Sequence, residues 1–243
     1  MKGKLLLMIL VTCTIAILLT TISLAQEGQR WCPLCGMNLK MFQKTNHSLT
    51  FKDGTQRGYC SLHCAAIVHK KMKDQIAKVE VADFVSGDLI VAERAYYLVG
   101  SDLPGVMTVV SKKAFSSEEK AKKYQNDHGG KIVMFEEALR LAQADLPADM
   151  KMLKEKKIPK MIKMGKKVAG TKGCFTCHGP EGKGGGKGPA WTSPAFAKKM
   201  NTKVKIKEAV LSGKGEMPSF EGKITEKELQ ALMLYIWSLR TEQ

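Results

Sequence analysis

Apolar positions along the chain fall into three patterns. From Leu5 to Leu24 they are nearly continuous, behind a basic start at Lys2 and Lys4. A run of this kind reads as a secretory leader ending in Ser23-Leu24-Ala25, and its length also suffices to span a bilayer. Export is the expectation, with residues 1–25 either cleaved after Ala25 or retained as a membrane anchor. Cys13 lies inside the run behind Thr12 and ahead of more apolar residues, a context unsuited to lipidation. Further along, Val81–Phe84 and Ile90–Val99 read as two strands joined by Ser86-Gly87-Asp88, and Lys131–Phe135 as another strand. Ser116 and Glu119 make a capping box for a helix that ends at Gly129-Gly130. The third pattern is helical. Leu229, Leu232, Met233, Ile236 and Leu239 recur on one face behind a second capping box, Thr225 with Glu228.

The change of pattern divides the 243 residues into two domains. Residues 30–142 form an α+β domain of antiparallel strands with helices. Residues 143–157 form a linker holding Asp145-Leu146-Pro147 and the charged run Lys154–Lys157, part of it able to be a connecting helix. Residues 158–243 form an all-α domain.

The all-α domain carries the most specific chemistry of the chain. Cys174-Phe175-Thr176-Cys177-His178 is the C-x-x-C-H attachment signature of c-type haem. Two thiols bond the haem vinyl groups and the following imidazole is an axial iron ligand. The surroundings, with Lys166–Gly173 as a helix entering the motif, Gly179, Pro189 and Met217-Pro218-Ser219-Phe220, resemble a class I cytochrome c. That resemblance implies one covalently bound haem c, His178 oriented by the Pro189 carbonyl, and Met217 as the sixth ligand. Met200 and Met233 compete with Met217 but lack its Met-Pro context. His/Met ligation suits electron transfer better than oxygen chemistry.

The formal charge of +16 is concentrated in this domain: from Pro159 onward sixteen basic residues face seven acidic ones. For an exported haem protein, a lysine-rich surface points to an acidic redox partner and not to nucleic acid.

The first domain holds Cys32-Pro33-Leu34-Cys35-Gly36-Met37 and Cys60-Ser61-Leu62-His63-Cys64. Thiolate, thioether and imidazole are soft donors, suited to Cu(I) or Zn(II) and not to magnesium or calcium. Three readings stand: a Cu(I) site, a four-cysteine zinc knuckle, or disulfides formed on export. His69 and His128 read as surface residues, and His47 has no assignment.

The Cys-x-x-Cys-Gly-Met opening, the Asp53-Gly54 hairpin, the Asp83 strand, the Ala92–Val99 strand, Met107, Ala114-Phe115 and Gly129-Gly130 together resemble NosL, the accessory family of nitrous oxide reductase. The resemblance covers about Cys32 to Leu139. It implies a Cu(I) carrier with Cys32, Cys35, Met37 and Met107 as donors. Cys60, His63 and Cys64 fit a treble clef better and keep zinc open. The implied partner is nitrous oxide reductase or its assembly machinery. The competing class is a periplasmic electron-transfer cytochrome whose first domain is a structural zinc or docking module. No nucleophile with its base is evident, so an enzyme is not expected.

Overall fold

The computed structural model describes residues 28–240, and the leader expected at 1–25 lies outside them. Among the described residues, no helix is long and apolar enough to cross a membrane.

The first domain is built on two antiparallel sheets. Strands β1 (His47–Phe51), β2 (Gln56–Tyr59), β3 (Ile76–Ala82) and β4 (Leu89–Val91) form one, in the order β2-β1-β3-β4. The Asp53-Gly54 hairpin joins β1 to β2 as expected. Gly54 takes φ +83°, a left-handed conformation that glycine reaches at least cost. The expected pairing across Ser86-Gly87-Asp88 is also present, with Val81 opposite Ile90. The second expected run splits, however. A 3₁₀ turn at Ala92–Arg94 ends β4, and β5 (Tyr96–Val99) joins a different sheet with β6 (Lys112–Phe115) and β7 (Lys131–Met134), in the order β6-β5-β7.

Helix α1 (Leu62–Met72) follows β2, and α2 (Glu118–His128) lies between β6 and β7. The cap of α2 falls one residue later than the sequence suggests. Ser117, not Ser116, accepts from the Lys120 N–H. Ser116 is engaged elsewhere: its N–H donates to buried Asp83 at 2.9 Å and its Oγ receives Lys120 Nζ at 2.8 Å. Burial pushes the Asp83 carboxyl up, but hydrogen bonds from Ser116 and Lys120 outweigh this and hold it well below the usual carboxylate range.

The expected linker is helical throughout. Helix α3 (Phe135–Met152) passes into a π-helical stretch (Leu153–Lys157) and then into α4 (Ile158–Thr171). Asp149, 1% exposed, fastens this helix to the first domain. It accepts from His63 Nδ1 at 2.8 Å and from the Val109 N–H at 2.7 Å.

The second domain is helical: α4, α5 (Cys174–His178), α6 (Pro194–Lys199), α7 (Lys203–Ser212) and α8 (Glu226–Ser238). Helices α4 and α8 cross almost backbone to backbone. A Cβ on Gly165 would lie 2.1 Å from the Ala231 carbonyl oxygen, so only glycine allows the crossing. The Thr225–Glu228 capping box of α8 forms in both directions. Leu229, Leu232, Met233, Ile236 and Leu239 are all buried, as their periodicity requires.

Candidate metal centre and haem attachment site

Cys32 and Cys35 sit on a tight knuckle. The Cys32 N–H donates to Met37 O and the Gly36 N–H to Cys32 O, each at 2.8 Å. Gly36 turns the chain at φ +78°. Cys60 ends the β2 hairpin and Cys64 lies in the first turn of α1, so the second pair arrives on separate elements. The four Sγ atoms all lie within 4.8 Å of one another and all four residues are buried. Cys35 and Cys60 sulfurs are 3.5 Å apart, and Cys60 and Cys64 sulfurs 3.7 Å. Tetrahedral coordination with metal–sulfur bonds of about 2.3 Å puts sulfurs about 3.8 Å apart. These cysteines are free thiols and not disulfides in the structure.

The electrostatics are those of a site made for a cation. The Cys32 thiol is pushed far down by hydrogen bonds from Cys35, Cys60 and Cys64. Cys60 and Cys64 are pushed up, first by the Cys32 thiolate they would sit against. Protein alone accommodates little negative charge here, and a bound metal ion removes that limit by replacing protons.

His63, expected among the donors, is not in this group; the Asp149 carboxylate takes its Nδ1 at 2.8 Å. Met37 and Met107 are partly buried and pack against the core that contains the cysteines. Met107 has φ +62°, which is rare for a residue with a side chain. Its neighbours Val106 and Thr108 line a small cavity with His63 and Asp149. His47, which the sequence left unassigned, is buried between Thr45 O at 3.1 Å and the Tyr97 hydroxyl at 3.2 Å. Desolvation lowers its pKa to about 4. His128 lies at the surface against Asp102.

Sequence reasoning missed three residues around the knuckle, all from the second domain. Gln230 Nε2 donates to Cys35 O at 3.3 Å. Glu226 Oε1 accepts from Trp31 Nε1 at 3.2 Å and from Lys207 Nζ at 3.1 Å. Lys207 has no exposed surface. Trp31, next to Cys32, is itself part of the helical domain's core. No local pattern announces contacts across nearly 200 residues, although a Trp beside a cysteine pair is a visible irregularity.

In the helical domain, α5 carries Cys174, Cys177 and His178 on one turn. His178 Nδ1 donates to Pro189 O at 2.9 Å, as the resemblance implied, which leaves Nε2 for an iron ligand bond. Backbone closes around the ring: a Cβ on Gly188 would be 2.9 Å from Nδ1. Trp191 packs on the imidazole with ring centres 4.8 Å apart. A Cβ on Gly182 would overlap that indole, and one on Gly179 would overlap Gly184 O, so these glycines permit the close loop around the motif. Met217 is partly buried against the same core. The thiol pair, the oriented imidazole and the fitted loop match covalent haem.

The family comparisons agree with this division. Residues 23–140 match the NosL family model, and residues 160–236 match the model described as cytochrome C oxidase, cbb3-type, subunit III. No curated protein matches. Among solved structures, the chain is similar to the crystal structure of the copper chaperone NosL from Shewanella denitrificans. That similarity has 23% identity and a TM-score of 0.39, over 47% of this chain and 93% of that one. The chain thus joins a NosL domain at residues 23–140 to a cbb3-type cytochrome c domain at residues 160–236.

Proposed function

We propose that this chain is an exported copper-handling haem protein: a Cu(I) carrier serving the assembly of nitrous oxide reductase, with one-electron transfer through a His/Met haem of the class I type. The convergence of four buried cysteine sulfurs within 4.8 Å carries this reading. Soft, preformed thiolate sites select Cu(I) or zinc over hard cations. Cys32 and Cys35 supply two donors in one knuckle, while Cys60 and Cys64 complete the group. Met37 and Met107 lie against the same core and are the candidate thioether donors of a transfer state.

Haem supplies one-electron exchange when bound. Cys174 and Cys177 would hold it, His178, oriented by Pro189, would ligate the iron, and Met217 would be its second protein ligand. The acidic partner docks on lysines near the attachment motif: Lys160, Lys163, Lys166 and Lys167 line an open concavity with Phe175. Association through this face slows as salt screens it. Export into the periplasm suits both the leader and covalent haem attachment.

A second reading has its own support. The sulfur separations of 3.5 and 3.7 Å fit a closed tetrahedral zinc centre. The domain would then be a structural or docking module of an electron-transfer cytochrome. Zinc analysis of the haem-loaded chain followed by anaerobic Cu(I) competition against a chromogenic chelator separates the two. One tight Cu(I) equivalent, lost in Cys32→Ser and Cys35→Ser, is the expected result. Stoichiometric zinc that Cu(I) does not displace would sink the carrier reading.

A further inference from the structure

Helix α8 lies between the two sites and touches both. Glu226, Gln230 and Met233, spaced four and then three residues apart, share one face. That face meets the cysteine knuckle. Glu226 holds Trp31 Nε1, Gln230 Nε2 donates to Cys35 O at 3.3 Å, and Met233 Cε lies 3.2 Å from where a Cβ on Gly36 would be. On another face Ala231 packs against the helix that enters the haem motif, and Tyr235 reaches the motif itself. The Ala231 carbonyl meets Gly165, the Tyr235 hydroxyl donates to Glu181 O at 2.9 Å, and the Tyr235 ring lies 6.3 Å from Phe175, between the two haem cysteines. The amide of Gln230 is placed at a cost. Its Oε1 is buried without a hydrogen-bond partner among the described residues, and such groups are destabilising. Stability alone does not favour that placement, whereas holding Cys35 does account for it.

We propose that α8 makes the four-cysteine centre a two-domain site, in which Gln230 is a positioning residue for the knuckle and metal loading is linked to the redox state of the haem. The proposal rests on the reading that these cysteines bind metal. The knuckle carries two of the four donors, and the cytochrome helix fixes its backbone at Cys35 and packs beneath Gly36. Partners that orient metal ligands typically contribute about 10–100-fold to affinity. Binding one divalent ion with release of three or four thiol protons leaves the centre more negative than before by about one or two charges, one helix away from the haem motif, and negative charge stabilises ferric over ferrous haem. Linkage is reciprocal, so the factor by which loading changes the haem equilibrium is the factor by which haem oxidation changes metal affinity.

Zn²⁺, which is redox-silent, tests this on the full haem-loaded chain. Its affinity is measured by chelator competition and the haem midpoint potential by spectroelectrochemistry, with and without one equivalent. The expected wild-type result is stoichiometric Zn²⁺ and a lowered midpoint. Gln230→Leu weakens Zn²⁺ binding about tenfold and shrinks the shift while leaving the visible haem spectrum unchanged. An unmoved potential on loading, or wild-type affinity in Gln230→Leu, overturns the proposal. The wild-type potential comparison needs no variant, so it decides the linkage even where Gln230→Leu does not fold. Failure of Zn²⁺ and Cu(I) to bind the wild type would instead sink the metal-centre reading, and this proposal with it.

Discussion

Cys32-x-x-Cys35 and Cys174-x-x-Cys177 share a spacing, yet the fold treats them differently. The second pair lies on one helical turn with His178 as its immediate neighbour, and its further surroundings, Pro189 and Trp191, come from the adjoining loop. The first pair lies on a knuckle whose remaining donors, Cys60 and Cys64, arrive on a hairpin end and a helix start. Spacing sets the reach within each pair. What the pair can bind is decided by which donor stands next to it, and that donor is local in one case and long-range in the other.

The comparison is most sharply tested by removing one sulfur from each site. Cys177→Ala is expected to remove a thioether bond and impair stable haem attachment, read as weakened haem staining on a denaturing gel, while the four cysteines still bind metal, with affinity lowered by no more than the roughly tenfold that the last helix contributes. Cys60→Ser should weaken metal binding by at least about 100-fold with haem retained, since it removes a donor itself and not merely a group orienting one. Loss of haem in Cys60→Ser would show that the two sites are not assembled independently.

Smaller effects test how each domain is held together. The helical domain depends on the α4–α8 crossing. Gly165→Ala puts a methyl group against the Ala231 carbonyl and should cost about 3 kcal/mol, seen in denaturant melts followed by helical circular dichroism. The first domain depends more on buried polar groups. His47 titrates at about 4 when folded, against an ordinary value of 6.5. The unfolded chain therefore binds more protons between those values. Its contribution is complete above pH 6.5 and is lost as pH falls toward 4. Between pH 7 and pH 5 the loss should be about 2 kcal/mol, and His47→Gln should flatten the pH dependence of urea melts by that amount. An unchanged slope would mean that His47 is neutral in both states or charged in both.

The haem site was largely legible because its residues are close in sequence. The C-x-x-C-H motif and the final helix with its capping box could be read from local chemistry, Pro189 from the resemblance to class I cytochromes c, and their contacts followed. The cysteine group was legible in kind and not in membership. His63 looked like a donor because it stands between Cys60 and Cys64, but its ring lies outside the sulfur group, turned to Asp149 from the helix beyond the expected domain edge. The Ser116 cap slipped to Ser117 because buried Asp83 binds the Ser116 N–H. In both cases a contact from a distant strand or helix prevailed over a local pattern.

The sequence by itself determined the two chemistries, since donor type, spacing and helical periodicity are properties of neighbouring residues. Only the tertiary structure decided that four sulfurs converge, that the linker is a helix tied down by Asp149, and that Gln230 of the cytochrome holds the Cys35 backbone. Those contacts join residues from 25 to 195 positions apart. Such pairs are chosen by the packing of whole elements, after the cost of closing long loops has been met, and no short stretch of sequence encodes them.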